Sequence, residues 1–178
     1  MPVAEIKAQS TMQEVLEAYP GAQRALMRRY HIGGCSHCGI APDDRLADVL
    51  RRHNVLAVDE VIEHIRACHE QEAELQITPA ELAEALRSPN PPRLIDVRGP
   101  EERELARIEG AIPATQELMQ EMMSSWNKDT PIVTHCHHGL RSLDAASYLV
   151  GHGFTNVRSL QGGIEAWSEQ VEPLVPRY

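Results

Sequence analysis

The chain has 178 residues, enough for one large domain or two small ones, and 42% hydrophobic with 24% charged side chains is the balance of a soluble globular fold. Acidic side chains outnumber basic ones 26 to 17, for a net charge of −9. Neither half has a basic excess, which argues against nucleic acid or an anionic membrane as partner, and no apolar run is long enough to span a bilayer.

The opening MPVAEIKAQS lacks the charged and apolar stretches of an export signal. Four cysteines, Cys35, Cys38, Cys68 and Cys136, are too few for a disulfide framework. The expected compartment is therefore the reducing cytoplasm, where closely spaced cysteines are more often catalytic or metal-binding than bridged.

Thr11 and Glu14 fit a capping box, and Met12, Val15 and Leu16 follow at helical spacing. Pro20 can open a second helix, which should stop near Gly33 and Gly34. GGCSHCGIAP reads as a loop. DDRLADVLRRH restarts a helix with acids in its first turn. A fourth, from about Asp59 to Glu72, places Val61, Ile62, Ile65 and Cys68 on one side, and HEQEAEL is its tail or a linker. Thr78-Pro79-Ala80-Glu81 is a second capping box with proline at the first helical position. RLIDV and PIVTHC are short apolar runs bounded by turn residues, hence buried strands. Met119, Met122 and Met123 recur at helical spacing. RSLDAASYLVGHG is a helix ending in glycine, FTNVRSL a third strand, and QGGIEAW leads into a last helix. The expected organisation is a small all-α domain over residues 1–76, with a CxxC loop, followed by an α/β domain over 77–178 with a mainly parallel sheet flanked by helices.

The chemistry centres on PIVTHCHHGLRSLDAASYL. A strand runs into Cys136, a tight loop follows to Arg141, and a helix begins. Converging loop N–H groups and the positive end of the helix dipole would both favour thiolate over thiol. His135, His137, His138 and Arg141 are expected to add positive character. The bland alternative is a core thiol at a strand end, although Gly139 and Arg141 are poor core residues.

Together these segments resemble the rhodanese family over about Gln76 to Tyr178: LIDVR at 94–98, IEGAI at 108–112, CHHGLRS at 136–142, GF at 153–154 and LQGGIEAW at 160–167. The closing VEPLVPRY looks like the tail of one single-domain subgroup. The resemblance implies that Cys136 accepts the sulfur and that Arg141 acts with it. It implies that the backbone of His137, His138, Gly139 and Leu140 cradles a persulfide and that Ser142 closes the loop onto the helix. Asp96 and Arg98 would lie beneath as the family's DxR pair. Glu102 matches the family's usual glutamate. Arg103 and Arg107 stand where an aromatic and a histidine are common, departures read as peripheral, and acids 101, 102 and 104 look like solvated surface. Phosphatases of related fold separate cysteine and arginine by five residues. The four between Cys136 and Arg141 suit a single sulfur atom better.

The N-terminal His31-Ile-Gly-Gly-Cys35-Ser-His37-Cys38 can cycle as a dithiol, relay sulfur, hold zinc or iron, or do no chemistry. His64 and Cys68, one turn apart, could complete a ligand set. Cys68 alone reads as core. Residues of about 8–55, through TMQEVLEAYP, CSHC, GIAP and LADVL, resemble a small helical module that also occurs at the N-terminus of di-iron proteins repairing iron–sulfur clusters.

The expected activity is transfer of a sulfane sulfur from a small donor such as thiosulfate, or from a persulfide, to a thiol or protein sulfur acceptor, with no cofactor required. The alternative is a sulfur-carrier or redox-sensing protein that turns over poorly and couples to the CxxC module.

Overall fold

The computed structural model describes residues 5–33 and 40–178. The chain divides into two compact units, 1–74 and 75–178. Cys35, His37 and Cys38 lie outside the described residues.

The first unit contains α1 (Met12–Ala18), α2 (Ala22–Tyr30), α3 (Leu46–Arg52) and α4 (Val58–Glu74). The Thr11 hydroxyl accepts from the Glu14 N–H and the Glu14 carboxylate accepts from the Thr11 N–H, which fixes the start of α1. Two expected boundaries move. Pro20 sits in the turn before α2 rather than opening it, because Gly21 is the cap. The helix ends at Tyr30, where His31 takes the left-handed conformation at φ 57°, before the glycines are reached. Asp43 and Asp44 precede α3; the Asp44 carboxylate closes the turn on the Ala41 N–H at 2.8 Å and pairs with Arg52 at 2.6 Å. HEQEAE is the tail of α4. Met12, Val15, Leu26, Leu46, Val49, Leu50, Val61, Ile65 and Cys68 belong to one apolar core.

The second unit holds β1 (Gln76–Ile77), α5 (Pro79–Leu86), β2 (Arg93–Asp96), α6 (Pro100–Leu105), β3 (Ile112–Pro113), α7 (Gln116–Ser125), β4 (Ile132–His135), α8 (Leu140–Gly151), β5 (Val157–Leu160) and α9 (Gly163–Gln170). Its strands form one sheet in the order β1-β5-β4-β2-β3, all neighbours parallel. Residues on successive strand positions face opposite sides. Leu94, Val133 and Leu160 pack with Leu82, Ile164 and Trp167, while Ile95, Ile132 and Val157 pack with Met122, Ala146, Leu149 and Phe154. The result is three layers, helix–sheet–helix, as the buried apolar strands require. Among the described residues no helix is long and apolar enough to cross a membrane.

Candidate active site

Every residue of β4 is buried, and the strand delivers Cys136 to the carboxyl edge of the sheet, where parallel sheets carry their sites. Gly139 follows at φ 91°, a left-handed turn that glycine adopts without steric cost, and α8 starts at Leu140. The loop proper is thus Cys136–Gly139, shorter than expected, and Leu140, Arg141 and Ser142 form the first helical turn. The Cys136 Sγ receives N–H groups from Gly139 at 3.2 Å and Ser142 at 3.4 Å. The Ser142 hydroxyl lies 3.5 Å from the sulfur and 3.1 Å from the Gly139 carbonyl, and it accepts from Ser159 Oγ at 2.9 Å. Cys136 is only 1% exposed, yet it belongs to neither apolar cluster of its unit. A core thiol would be lined by carbon; this one is met by polar hydrogens.

The following helix buttresses the loop. Ile164 N–H donates to the Cys136 carbonyl at 2.8 Å and Glu165 N–H to the His137 carbonyl at 3.2 Å. Because a trans peptide sets each carbonyl opposite the next N–H, this turns the His137 and His138 amides away from α9. The approach is too close for a side chain. A Cβ on Gly163 would lie 2.2 Å from the His137 oxygen and 2.5 Å from that of Cys136. The sequence alone singles out neither this contact nor Ser159.

Beneath the loop lies a buried polar cluster. Asp96 ends β2, and Arg98 folds back onto it through Nε at 3.0 Å and Nη2 at 2.7 Å. The other donors of Arg98 reach the Ala106 carbonyl, the Glu102 carbonyl and the Tyr178 hydroxyl, so all five are used. Burial raises the Asp96 pKa, but the Arg98 hydrogen bonds and the neighbouring charges of His135 and Arg98 together hold the carboxyl below its ordinary value. Arg103 Nε lies 3.3 Å from the same carboxylate, so this departure from the family pattern is not peripheral.

His135 corrects an expectation. It is fully buried, its ring nitrogens have no hydrogen-bond partner, and burial pushes its pKa down to about 4. It adds no positive charge at neutral pH. Burial, with His138 alongside, lowers His137 as well.

At the mouth, the Arg141 guanidinium is held by Glu102 through two hydrogen bonds of 2.6 and 2.7 Å. Glu102 also accepts from the Gly99 N–H at 3.1 Å and from the Tyr178 hydroxyl at 3.3 Å. The Arg141 hydrogen bond brings its pKa down to about 2. Glu102 is therefore part of the site and not solvated surface like its neighbours. The Tyr178 ring rests on His137 with centroids 4.4 Å apart. His138 Nε2 lies 2.8 Å from Glu165 Oε2.

His137, His138 and Glu165 place ligand atoms within 4.8 Å of one another. The two imidazoles are stacked with planes 9° apart. Nitrogen lone pairs lie in the ring planes, so nearly parallel rings do not converge on one ion. The metal or redox site expected at Cys35 and Cys38 lies outside the described residues. Cys68 Sγ sits 3.6 Å from His64 Nε2, whose ring also meets the Ala25 carbonyl at 3.1 Å, and burial raises the Cys68 thiol pKa.

A parallel sheet that presents a cysteine to two amides at a helix start is the arrangement expected of the rhodanese class of sulfurtransferases. Residues 78–170 match the rhodanese-like domain, and the chain belongs to that family. Thiosulfate sulfurtransferase GlpE of Vibrio cholerae is 36% identical over 92 residues, which is 52% of this chain and 87% of that protein. The protein of the same name from Pseudomonas syringae is 37% identical over 94 residues, 53% of this chain and 88% of that one. Among solved structures, reduced CoADR-RHD of Bacillus anthracis shares the fold at a TM-score of 0.52 and 21% identity, over 69% of this chain and 21% of that chain.

Proposed function

We propose that the protein moves a sulfane sulfur from a donor, thiosulfate or a persulfide, to a thiophilic acceptor through a persulfide on Cys136. The Cys136 thiolate attacks the outer sulfur of the donor and a new S–S bond forms. With thiosulfate, the old S–S bond breaks and its electron pair leaves on sulfite. With an alkyl persulfide it leaves on the thiolate. The acceptor, a thiolate or cyanide, then attacks the outer sulfur of the Cys136 persulfide and returns Cys136 as thiolate. This is covalent catalysis in two half-reactions with ping-pong kinetics, a pair of displacements at sulfur that involve no metal or organic cofactor.

In this reading the Gly139 and Ser142 amides and the Ser142 hydroxyl stabilise the negative sulfur in both the resting and the loaded state. His137, His138, Leu140 and Arg141 form the rim through which donor and acceptor pass. Asp96 and Arg98 hold the edge of the sheet beneath. The observation that supports the reading most is the approach of the Gly139 and Ser142 N–H groups to the Cys136 sulfur.

The test is turnover in a thiosulfate:cyanide assay with Cys136→Ala and Cys136→Ser. Both variants should be inactive while folding normally; normal turnover in either removes the proposal. The nearly complete burial of Cys136 favours a second reading, a carrier that exchanges sulfur with a partner and turns over slowly. Comparing the turnover number on thiosulfate with the rate of transfer to a protein thiol separates the two.

A further inference from the structure

Tyr178 sits where the needs of the fold do not explain it. It is 41% exposed and belongs to neither apolar cluster of its unit. The segment before it is anchored without it. Val175 is buried in the core, its carbonyl accepts from Ser168 Oγ at 2.6 Å, and Arg177 pairs with Glu169 at 2.6 Å. The partners of Tyr178 belong to the site instead. Its hydroxyl accepts from Arg98 Nη1 at 2.7 Å and donates to Glu102 Oε1 at 3.3 Å. Its ring lies 4.4 Å from that of His137, tilted by 36°. His138 stacks on His137 at 3.9 Å. Rings at those distances cannot share one face, so His137 is held between the two. His138 in turn meets Glu165 on α9 at 2.8 Å. A row of side chains thus runs from α9 across the loop to Arg98, and Tyr178 is the link that ties the neighbour of Cys136 to that buried guanidinium.

We propose that Tyr178 is a positioning residue for sulfur transfer: it clamps His137 against His138 and fixes that stack to Arg98 and Glu102, so that the Cys136 sulfur stays on the Gly139 and Ser142 N–H groups. The inference rests on the sulfur-transfer reading above. Tyr178 acts through the loop backbone and not on the sulfur itself. Clamping the side chain of His137 restricts the peptide that joins it to Cys136. Hydrogen bonds weaken steeply as their angles open, and small displacements of a reacting group are costly in rate. The Arg98 hydrogen bond is charge-assisted, which makes it a firm anchor for the ring. The ring also shields His137 from water, and burial holds the His137 pKa below its ordinary value. The charged or titratable groups that face His137 are His138, Glu165, Glu102, Arg98 and Tyr178.

The test is steady-state kinetics of the full chain with thiosulfate and cyanide, together with an NMR titration of the His137 imidazole. Wild type is compared with Tyr178→Leu, which removes ring and hydroxyl, and with Tyr178→Phe, which keeps the ring. In Tyr178→Leu, kcat should fall about tenfold with the thiosulfate KM within about twofold, because the loss lies in the geometry of the reacting sulfur and not in donor binding. Tyr178→Phe should recover kcat to within about threefold of wild type. The His137 pKa should rise toward 6.5 in Tyr178→Leu and move less in Tyr178→Phe. Wild-type kcat in Tyr178→Leu, an equal loss in both variants, or a His137 titration unmoved in Tyr178→Leu overturns the proposal. If Tyr178→Leu does not fold, Tyr178 holds the structure and not the loop, and the proposal fails. Cys136→Ser separates the two levels. Turnover surviving in that variant removes the sulfur-transfer reading itself; with that variant inactive, wild-type kcat in Tyr178→Leu removes only this inference.

Discussion

The two units solve the same folding problem with different interiors. Among the described residues, the N-terminal unit buries apolar side chains and one carboxylate, Glu72, which Arg24 clamps at 2.6 and 3.0 Å. The C-terminal unit buries Asp96, Arg98, Thr134, His135, Ser142, Ser159 and Ser168 as well. All but Ser168 lie on β2, β4 or β5, or in the segments that follow β2 and β4, around and below Cys136. Burying a polar group costs free energy unless it is hydrogen-bonded. Their concentration at one sheet edge marks where the fold trades stability for chemistry. The N-terminal unit contains little of this kind in its described part, and its own chemistry-bearing motif, Cys35 and Cys38, falls outside it.

The sharpest way to break the contrast is His135, a buried histidine without hydrogen-bond partners. Its pKa drops from 6.5 to about 4 on folding. Between those values the unfolded chain takes up a proton that the folded chain refuses, so stability falls as pH falls from 6.5 to 4, by about 3 kcal/mol in full. Denaturant melts at pH 7, 5 and 4 should show that slope in wild type and lose it in His135→Phe. A slope unchanged in the variant would place the acid sensitivity elsewhere.

Next in size is Gly163. Gly163→Ala drives a methyl into the Cys136 and His137 carbonyls, which displaces the sulfur cradle and should lower kcat/KM about a hundredfold. Gly153→Ala, also at positive φ (89° against 62° at Gly163) but with nothing within 4 Å of the added methyl, is the control. It should cost only backbone strain, about 1 kcal/mol in a thermal melt, and leave kinetics intact. In the other unit, Glu72→Gln removes the carboxylate charge that Arg24 clamps. It should destabilise that unit by about 2 kcal/mol, below the range for fully buried pairs because Arg24 is partly exposed. Sulfur transfer should not change. The smallest effect is Ser142→Ala, which removes one hydroxyl donor beside the sulfur and keeps the amide; a loss of about fivefold in the sulfur-transfer rate is expected.

What the sequence revealed follows from range. Capping boxes at Thr11/Glu14 and Thr78/Glu81 are local, so both helix starts were legible. The strand–Cys136–helix order was legible because apolar runs and turn residues bracket it. Two-residue strands such as β1 and β3 carry no periodicity and were missed. PIVTHC was legible as a buried strand, but the charge of His135 also depends on whether its ring finds hydrogen-bond partners there, which the run does not reveal. Glu102 sits among Glu101 and Glu104 and looks like them by charge; the resemblance marks it as the family's usual glutamate, but its place in the site comes from a tertiary pairing with Arg141, 39 residues away. Arg103 was set aside for the same reason, since its neighbour Asp96 is brought to it by the turn between β2 and α6. Pro20 and the glycines after α2 misled in the opposite sense: their local signals were read correctly as punctuation, but Gly21 and His31 supply the caps.

The most direct measurement is the location of the transferred sulfur. The full chain is incubated with thiosulfate or glutathione persulfide, trapped with an alkylating reagent and mapped by peptide mass. One additional sulfur on the peptide containing Cys136, removed again by cyanide, is the predicted result. Full turnover with no sulfur ever found on that peptide would contradict the account.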